Sequence, residues 1–550
     1  MNRFSLSLIV LLVASTVSAA DVSHRQMQQI AARQLSDIGI TADPECLAAT
    51  EAYAVYGSRT GGFVVMGKYA DEPRVLGYSA SVYAADRMPC GLRWWLGAVE
   101  RSVDASSPAP AAAKYTAVAN FVKTQWGQGV PYNQKCPKQG STRTPTGCIA
   151  TAMAQVMRYY EWPSQGQGMG SYTIGDATDQ PVYEAVDGIY DWGNMPIVPY
   201  SFSTRLVIRN AVSTLMYDCG KASKMNYNTE GSGAQDWDQA LALARNFQYD
   251  SLSMRRCERF LFSEAEWLRL ISSELQARRP VLYTGSSEAD GGHAFLLSGM
   301  DASGRVYVNW GWEGYCDGYY AIDALKPAES GHVDSDFTEE QSMTIGIQPL
   351  GSEGSAGEYR SEWVAYFVGD AMVSRNRRQL QIPYYYFYNV HFLPFQGVVG
   401  LLIESTDGKG VSQLVPIDDM QGETANCYDA YSNVDYSGKT PSANPSTIPL
   451  MGFPAGYYRA TWVSKAVQDA EPRLIVDEEG HSLAPFYFSK DASGLFAVSS
   501  EPITAGVSSS VELRSSDSVR YYDLQGRPVD GRHHGLTIVR QGYQSRIRLQ

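Results

Sequence analysis

The period of the apolar positions changes several times along this chain, and each change marks an element. Between residues 22 and 38 they fall at Met27, Ile30, Ala31, Leu35 and Ile38, the spacing of one helical face. Residues 52–56 and 63–69 turn to dense β-branched and aromatic runs, which predict strands. The helical period returns from residue 149, with apolar side chains at 149, 153, 156, 157 and 160. Residues 279–283 read as a strand and 285–292 as a flexible loop, after which His293 opens a strand over 294–297. A turn at Asp301-Ala302-Ser303-Gly304 leads into a returning strand over 305–310. Beyond residue 383 the chain becomes short β-type runs, at 383–388, 397–403 and 456–462, split by Gly, Pro, Asn and Ser. That spacing predicts a β-sandwich. Two last runs, 519–527 and 535–540, predict a small terminal β unit.

Two stretches lack any period. Residues 105–114 are small and proline-containing, and 351–357 are rich in Gly and Ser, so both read as exposed linkers. With them the chain divides into a leader (1–20), an α/β unit (21–113), a central unit (114–350), a β-sandwich-like unit (351–505) and a C-terminal β tail (506–550). The class is α+β. A length of 550 residues suits two to four domains.

Met1-Asn2-Arg3, the apolar run 6–17 and the small-residue exit Val17-Ser18-Ala19-Ala20 have the form of a secretory signal. No later run looks long enough to span a membrane. Net charge is −13, which argues against nucleic acid or an anionic membrane as partner. Export permits disulfides, but eight cysteines in 550 residues are too few to form a scaffold. A free Cys148 would leave seven, hence at least one more unpaired. Cys46 and Cys90 lie in the same unit and could bridge; the sequence does not establish that they do.

The central unit carries the chemistry. Cys148 follows Gly147 at the start of the 149–160 helix, where unpaired N–H groups and the helix dipole favour a thiolate. His293 follows Gly291-Gly292 at a loop-to-strand junction. Asn309-Trp310-Gly311-Trp312 lies on the returning strand. Taken singly, the cysteine also fits a core residue and the indoles fit core packing. Together they make a nucleophile, a base and an orienting group. An odd connection between the strands would put Asn309 on the histidine's face, and an even one Trp310 and Trp312. We assign Asn309 as the orienter and Trp310 as its shield. The oxyanion needs donors; the Cys148 backbone N–H is one, and Gln128 is the candidate for the other, with Gln125 and Gln134 as competitors. Gly62 to Lys68 has the spacing of a phosphate loop, but Tyr69 stands where a hydroxyl should hold magnesium, and the segment reads as a strand. No His-Glu-x-x-His or Gly-x-Ser-x-Gly pattern occurs, so no metal or organic cofactor is expected.

Trp126-Gly127-Gln128-Gly129-Val130-Pro131-Tyr132-Asn133, Thr146-Gly147-Cys148-Ile149-Ala150-Thr151-Ala152-Met153, Gly291-Gly292-His293-Ala294-Phe295 and Val308-Asn309-Trp310-Gly311-Trp312-Glu313-Gly314 occur in that order. So arranged, they resemble the streptopain family of cysteine peptidases, over roughly residues 21–350. The resemblance implies a papain-like core, endopeptidase activity on protein substrates and an inhibitory propeptide removed on activation. Carried onto this chain, Cys148 is the nucleophile, His293 the general base and acid, and Gln128 an oxyanion donor. Asn309 and Trp310 support the histidine, and Ser232 and Gly292 line the substrate cleft. Residues after 350 resemble additions found in Bacteroidetes relatives. The Tyr522-Asp523-Leu524-Gln525-Gly526-Arg527 stretch resembles their sorting tails, which implies an outer-surface association. Two other readings use the same residues: a cysteine amidase or transglutaminase, and a surface binding protein whose catalytic groups are relics.

Overall fold

The computed structural model describes residues 19–322 and 340–503 apart from short internal segments (110–113, 176–179, 199, 201–202, 288–290, 354–361, 409, 420–423, 436–441 and 479), together with terminal strands between 519 and 549. The leader-like residues 1–18 lie outside it, as do residues 110–113 of the first linker and most of the second.

The N-terminal unit is α1 (Ala19–Asp37), then strands β1 (Glu45–Ala49), β2 (Tyr53–Gly57), β3 (Phe63–Gly67) and β4 (Arg74–Ser79), then α2 (Cys90–Ser102). Its middle strands are apolar throughout because both faces are covered. Ala54, Tyr56, Val64 and Met66 pack with α1, while Val55, Phe63, Val65 and Leu76 pack with α2. The predicted helix and both predicted strands are present, and the phosphate-loop lookalike is β3.

The central unit contributes helices α3 (Cys148–Tyr160), α4 (Leu206–Ala222), α5 (Asp236–Asn246) and α6 (Glu264–Gln276). Its strands are β5 (Arg255–Glu258), β6 (Val281–Ser287), β7 (Gly291–Met300), β8 (Val306–Asn309), β9 (Gly318–Tyr320) and β10 (Glu340–Ile345). These do not form a separate sheet. One ten-stranded sheet runs β1-β2-β3-β4-β9-β8-β7-β6-β10-β5. The two units are therefore joined edge to edge by β4 and β9, through Gly318 opposite Ser79, Tyr319 opposite Tyr78 and Tyr320 opposite Gly77. Gly77 cannot carry a side chain here, since a Cβ would lie 2.5 Å from the Tyr320 ring.

Helices cover the sheet on both sides. On one face α2 and α6 pack on Val281, Tyr283, Phe295, Leu297, Val308 and Trp310. On the other, α3 packs on Leu282, Ala294 and Leu296. Alternation along each strand sets this division.

The C-terminal unit places two sheets over one core. One includes β11 (Trp363–Val368) and β12 (Tyr385–Asn389); the other is built on β13 (Gly397–Ser405), β14 (Ser412–Asp419), β15 (Gly456–Ala466), β16 (Phe486–Lys490) and β17 (Phe496–Ser499). Trp363 and Phe387 from one meet Leu401, Trp462 and Phe488 from the other. The runs predicted at 383–388, 397–403 and 456–462 are β12, β13 and part of β15. The terminal strands form a four-stranded sheet of their own.

Buried charge fastens this unit to the central one. Arg256 bonds Asp236 at 2.6 Å and also Glu258, between the rings of Trp237 and Tyr428. The Tyr428 hydroxyl, from the C-terminal unit, donates to Glu258. Arg255 bonds Glu362 at 2.6 Å. Removing Arg256 would leave two buried carboxylates without a cation. Arg256→Ala is expected to lower the first urea-unfolding transition by about 3–5 kcal/mol; an unmoved transition would show that this joint contributes nothing.

Candidate active site

Position 147 has to be glycine. Its φ is +87°, and a Cβ would lie 2.8 Å from Met225 Sδ and 2.9 Å from the Ser232 carbonyl. This tight passage delivers Cys148 as the first residue of α3. The passage is pinned from three sides. The Ser232 hydroxyl donates to the Pro145 carbonyl at 2.8 Å, the Thr151 hydroxyl to the Gly147 carbonyl at 2.9 Å, and the Gln239 amide to the Ile149 carbonyl at 3.2 Å. Ser232 is therefore buried beside the loop that leads into Cys148, and its hydroxyl is committed there.

Burial pushes the Cys148 thiol above its ordinary range; the N–H groups of Ala294, Ile149 and Cys148 itself pull it back only in part. The Ala294 N–H that faces it comes from β7, the strand that carries His293.

His293 sits on β7, the strand that supplies the Ala294 N–H. The segment expected to be a loop, 285–292, is mostly ladder: Gly285 pairs with His293, Ser286 with Gly292 and Ser287 with Gly291. His293 is thus the third residue of its strand, not the first. Directly opposed residues of an antiparallel pair project to the same face. A Cβ on Gly285 would fall 2.1 Å from the Trp94 ring, so that face is the one under α2. Cys148 lies under the other face, with α3. Thiol and imidazole are on opposite sides of β7, and the covering residue on the histidine side, Trp94, belongs to the N-terminal unit.

The register also corrects the assignment of Asn309. Leu296 pairs with Asn309, and an irregularity between Leu297 and Met300 absorbs the turn. Asn309 therefore shares a face with Leu296 and α3, whereas Trp310 shares the face of Phe295 and His293. The Asn309 amide is fully engaged. It donates to the Thr124 carbonyl at 2.7 Å and to Gln155 at 2.9 Å, and it accepts from Gln155 and from the Gly311 N–H. It clamps β8 to α3 and leaves no group for the imidazole. Trp310 is buried against Phe295, ring centroids 4.9 Å apart, and its indole N–H donates to the Cys316 carbonyl.

Gln128 is half-buried and its side-chain amide bonds nothing among the described residues, while its carbonyl accepts the Thr146 N–H at 3.0 Å. Gln134 is tied to Asn210 at 2.8 Å, which removes one competitor; Gln125 is exposed. Gly292 is exposed, with open space where a side chain would be apart from Ser286 at 3.8 Å. Among the described residues, no cluster of His, Cys, Asp or Glu could hold a metal ion, and no helix is long and apolar enough to cross a membrane. All eight cysteines are unpaired, including Cys46 and Cys90.

A model of the Peptidase C10 family matches residues 126–320. Streptopain of Streptococcus pyogenes is 30% identical over 324 residues, which span 54% of this chain and 80% of streptopain. The chain belongs to the streptopain family. It is a cysteine peptidase with a papain-like core, as the ordered motifs imply. The thiol protease/hemagglutinin PrtT of Porphyromonas gingivalis is 33% identical over 320 residues, 53% of this chain and 36% of PrtT. A prointerpain A fragment of Prevotella intermedia is 34% identical and covers 55% of this chain and 98% of its own, with a TM-score of 0.49.

Three residues packed around these side chains have no counterpart among the sequence expectations: Trp94, Gln155 and Asp317. Trp94-Trp95 was a visible signal, since two adjacent indoles in a small unit need something large to pack on. Asp317 gave none. Its carboxylate accepts the Trp310 N–H at 3.0 Å, and the Ser79 hydroxyl of β4 donates to its carbonyl at 2.7 Å. Burial raises this carboxyl to about 7. Below about pH 4 both folded and unfolded chains hold the proton. Between there and 7 only the folded chain holds it, so stability falls as pH rises, by about 4 kcal/mol in all, and levels off above 7. Asp317→Asn is expected to flatten that part of the stability curve; an unchanged slope would mean the carboxyl is ionised when folded.

Proposed function

We propose that this chain is a secreted cysteine endopeptidase made as a zymogen, with residues 21–113 as its inhibitor. The observation that carries this reading is the division of the catalytic pair by β7, with Trp94 packed over the histidine's face. A half-buried thiol held protonated, with its base on the other face of the sheet, is a poor nucleophile. Loss of residues 21–113 would remove α2 and Trp94 and uncover the face of β7 that carries His293. Gly291 (φ +71°) and Gly292, just before His293, let the backbone turn there and bring the imidazole to the thiol.

The assembled site would work as follows. His293 takes the Cys148 proton, and the thiolate attacks the scissile carbonyl carbon. The oxyanion is met by the Cys148 N–H at the start of α3 and by the Gln128 amide, which has no competing partner. His293 then gives its proton to the leaving amine, and water hydrolyses the thioester. Asn309 and Trp310 act at a distance, by fixing β8 to α3 and backing the histidine's strand. Ser232 holds the wall of the cleft beside Pro145, and Gly292 leaves its rim open to a substrate backbone.

The leader-like start supports export. The separate terminal sheet suits a sorting tail that associates the protein with an outer surface. Residues 21–113, 114–350, 351–505 and 506–550 would be the inhibitor, the peptidase, a β-sandwich and that tail.

The test is hydrolysis of denatured casein under reducing conditions, after cleavage within residues 105–114. The cleaved protein is expected to degrade casein. Gln128→Ala should do so about 10²–10³-fold more slowly in kcat, with KM little changed. Intact casein after cleavage and reduction would sink the endopeptidase reading and leave small amides as substrates to try.

A further inference from the structure

The first turn of α5 is bonded at once to the first turn of α3 and to the joint with the C-terminal unit. Gln239 is buried, and its side-chain amide donates to the Ile149 carbonyl at 3.2 Å, one residue past Cys148. Asp236, the first residue of α5, lies three positions earlier. Its carboxylate takes the Arg256 guanidinium at 2.6 Å and the Ser342 hydroxyl of β10. Arg256 continues to Glu258, and Glu258 accepts the hydroxyl of Tyr428. A second route is shorter: the ring of Trp237, the next residue of α5, packs on that of Tyr428, centroids 4.9 Å apart.

Tyr428 is held for these contacts. Its φ is +64°, a left-handed conformation that is costly for a residue with a side chain. Asn389, at the end of β12, fixes it there. The Asn389 carbonyl accepts the Tyr428 N–H at 2.6 Å, and its side-chain amide donates to the Ala425 and Asn426 carbonyls at 3.1 and 3.2 Å. The ring of Tyr388 stacks on that of Tyr428 as well, 5.8 Å away and 13° from parallel.

Resting on the reading of Cys148 as nucleophile, we propose that Tyr428, Asp236 and Gln239 are positioning residues. Through α5 the C-terminal unit sets the first turn of α3, and with it the Cys148 sulfur and the Cys148 N–H that meets the oxyanion. An oxyanion donor works only when it is aimed at the place the charge will occupy, so a small tilt of this turn costs rate. The C-terminal unit is then a working part of the peptidase and not a detachable spacer. The other tie between the units, Arg255 with Glu362, joins the edge strand β5 to the C-terminal unit without passing through α5.

The test uses the full chain, reduced and cut within 105–114, with labelled casein as substrate. Wild type, Tyr428→Ala, Gln239→Met and the double variant are each assayed below their melting transitions. Each single variant is expected to lose about 10- to 100-fold in kcat, with KM little changed. The double variant should lose no more than the slower single one, because both substitutions break one path. Glu362→Gln should lower the melting temperature and leave kcat as it is, which separates positioning from mere attachment. Tyr428→Phe, which keeps the ring and drops only the bond to Glu258, takes the place of Tyr428→Ala in the cycle if the alanine variant does not fold. An unchanged kcat in either single variant, or losses that multiply in the double one, would overturn the proposal. So would a change in KM alone, which would make the C-terminal unit a grip on substrate. Failure of the nucleophile reading shows separately: Cys148→Ala, cut and reduced, would then still degrade casein.

Discussion

Cys148→Ala is expected to abolish casein hydrolysis and any self-shortening of the chain, by about 10⁴-fold or more, with little change in stability. In the proposed mechanism the reaction passes through a bond to this sulfur. Enzymes that act through a nucleophile–base pair lose most of their rate when either member is removed. The fold should not suffer. Alanine keeps the Cβ, α3 keeps its start, and the Gly147 passage is held by Ser232, Thr151 and Gln239, not by the thiol. A gel time course beside a thermal melt checks both halves. His293→Ala should match it in rate. A variant that melts normally and still cuts casein would remove Cys148 from the mechanism.

Trp94→Ala should have opposite effects in the two forms of the protein. In the intact chain Trp94 fills the space over Gly285 and packs on Phe295, ring centroids 6.0 Å apart. Deleting an indole from such a core costs about 3–5 kcal/mol. The loss falls on the contact that keeps His293's strand covered, so the intact variant is expected to shorten itself and cut casein at least about tenfold faster than intact wild type, by the arithmetic of a 1.4 kcal/mol change. Once residues 21–113 have left, Trp94 is gone from both proteins, and their kcat/KM values should agree. A variant that stays as latent as wild type, or that is slower after processing, would contradict the role given to Trp94.

Local patterns carried α1, α3 and the most apolar strands, whereas α2, α4, α5 and α6 were not read from them. The 149–160 helix shows its apolar face directly, and β2 and β3 announce themselves by β-branched and aromatic residues. Cys148 stood out as the candidate nucleophile because its surroundings are local: a glycine, a cysteine, then a helix. The relation between Cys148 and His293 was not. It depends on which face of β7 each occupies, and that face is set by long-range pairings, Gly285 with His293 and Leu296 with Asn309. One residue of slip in the 297–306 connection moves Asn309 from the histidine's side to α3's. No local signal fixes that slip, so Asn309 was given a role that its bonds to Thr124 and Gln155 do not support. The continuity of the sheet was equally hidden. The joint of β4 with β9 links residues about 240 positions apart through only three opposed pairs. Gly285 looked like loop because glycine usually marks one; it is a strand residue whose missing side chain makes room for Trp94.

The most direct test of the central claim, that the N-terminal unit keeps the thiol from its base, is the pH dependence of Cys148 alkylation by iodoacetamide. It is followed on the Cys148 peptide by mass spectrometry, in reduced protein before and after cleavage within 105–114. Before cleavage, alkylation should be slow and should rise only above the ordinary thiol range, because burial opposes the thiolate. After cleavage it should be fast and should hold a plateau well into acid, as expected of a thiolate paired with an imidazolium. Identical profiles from the two forms would contradict the account.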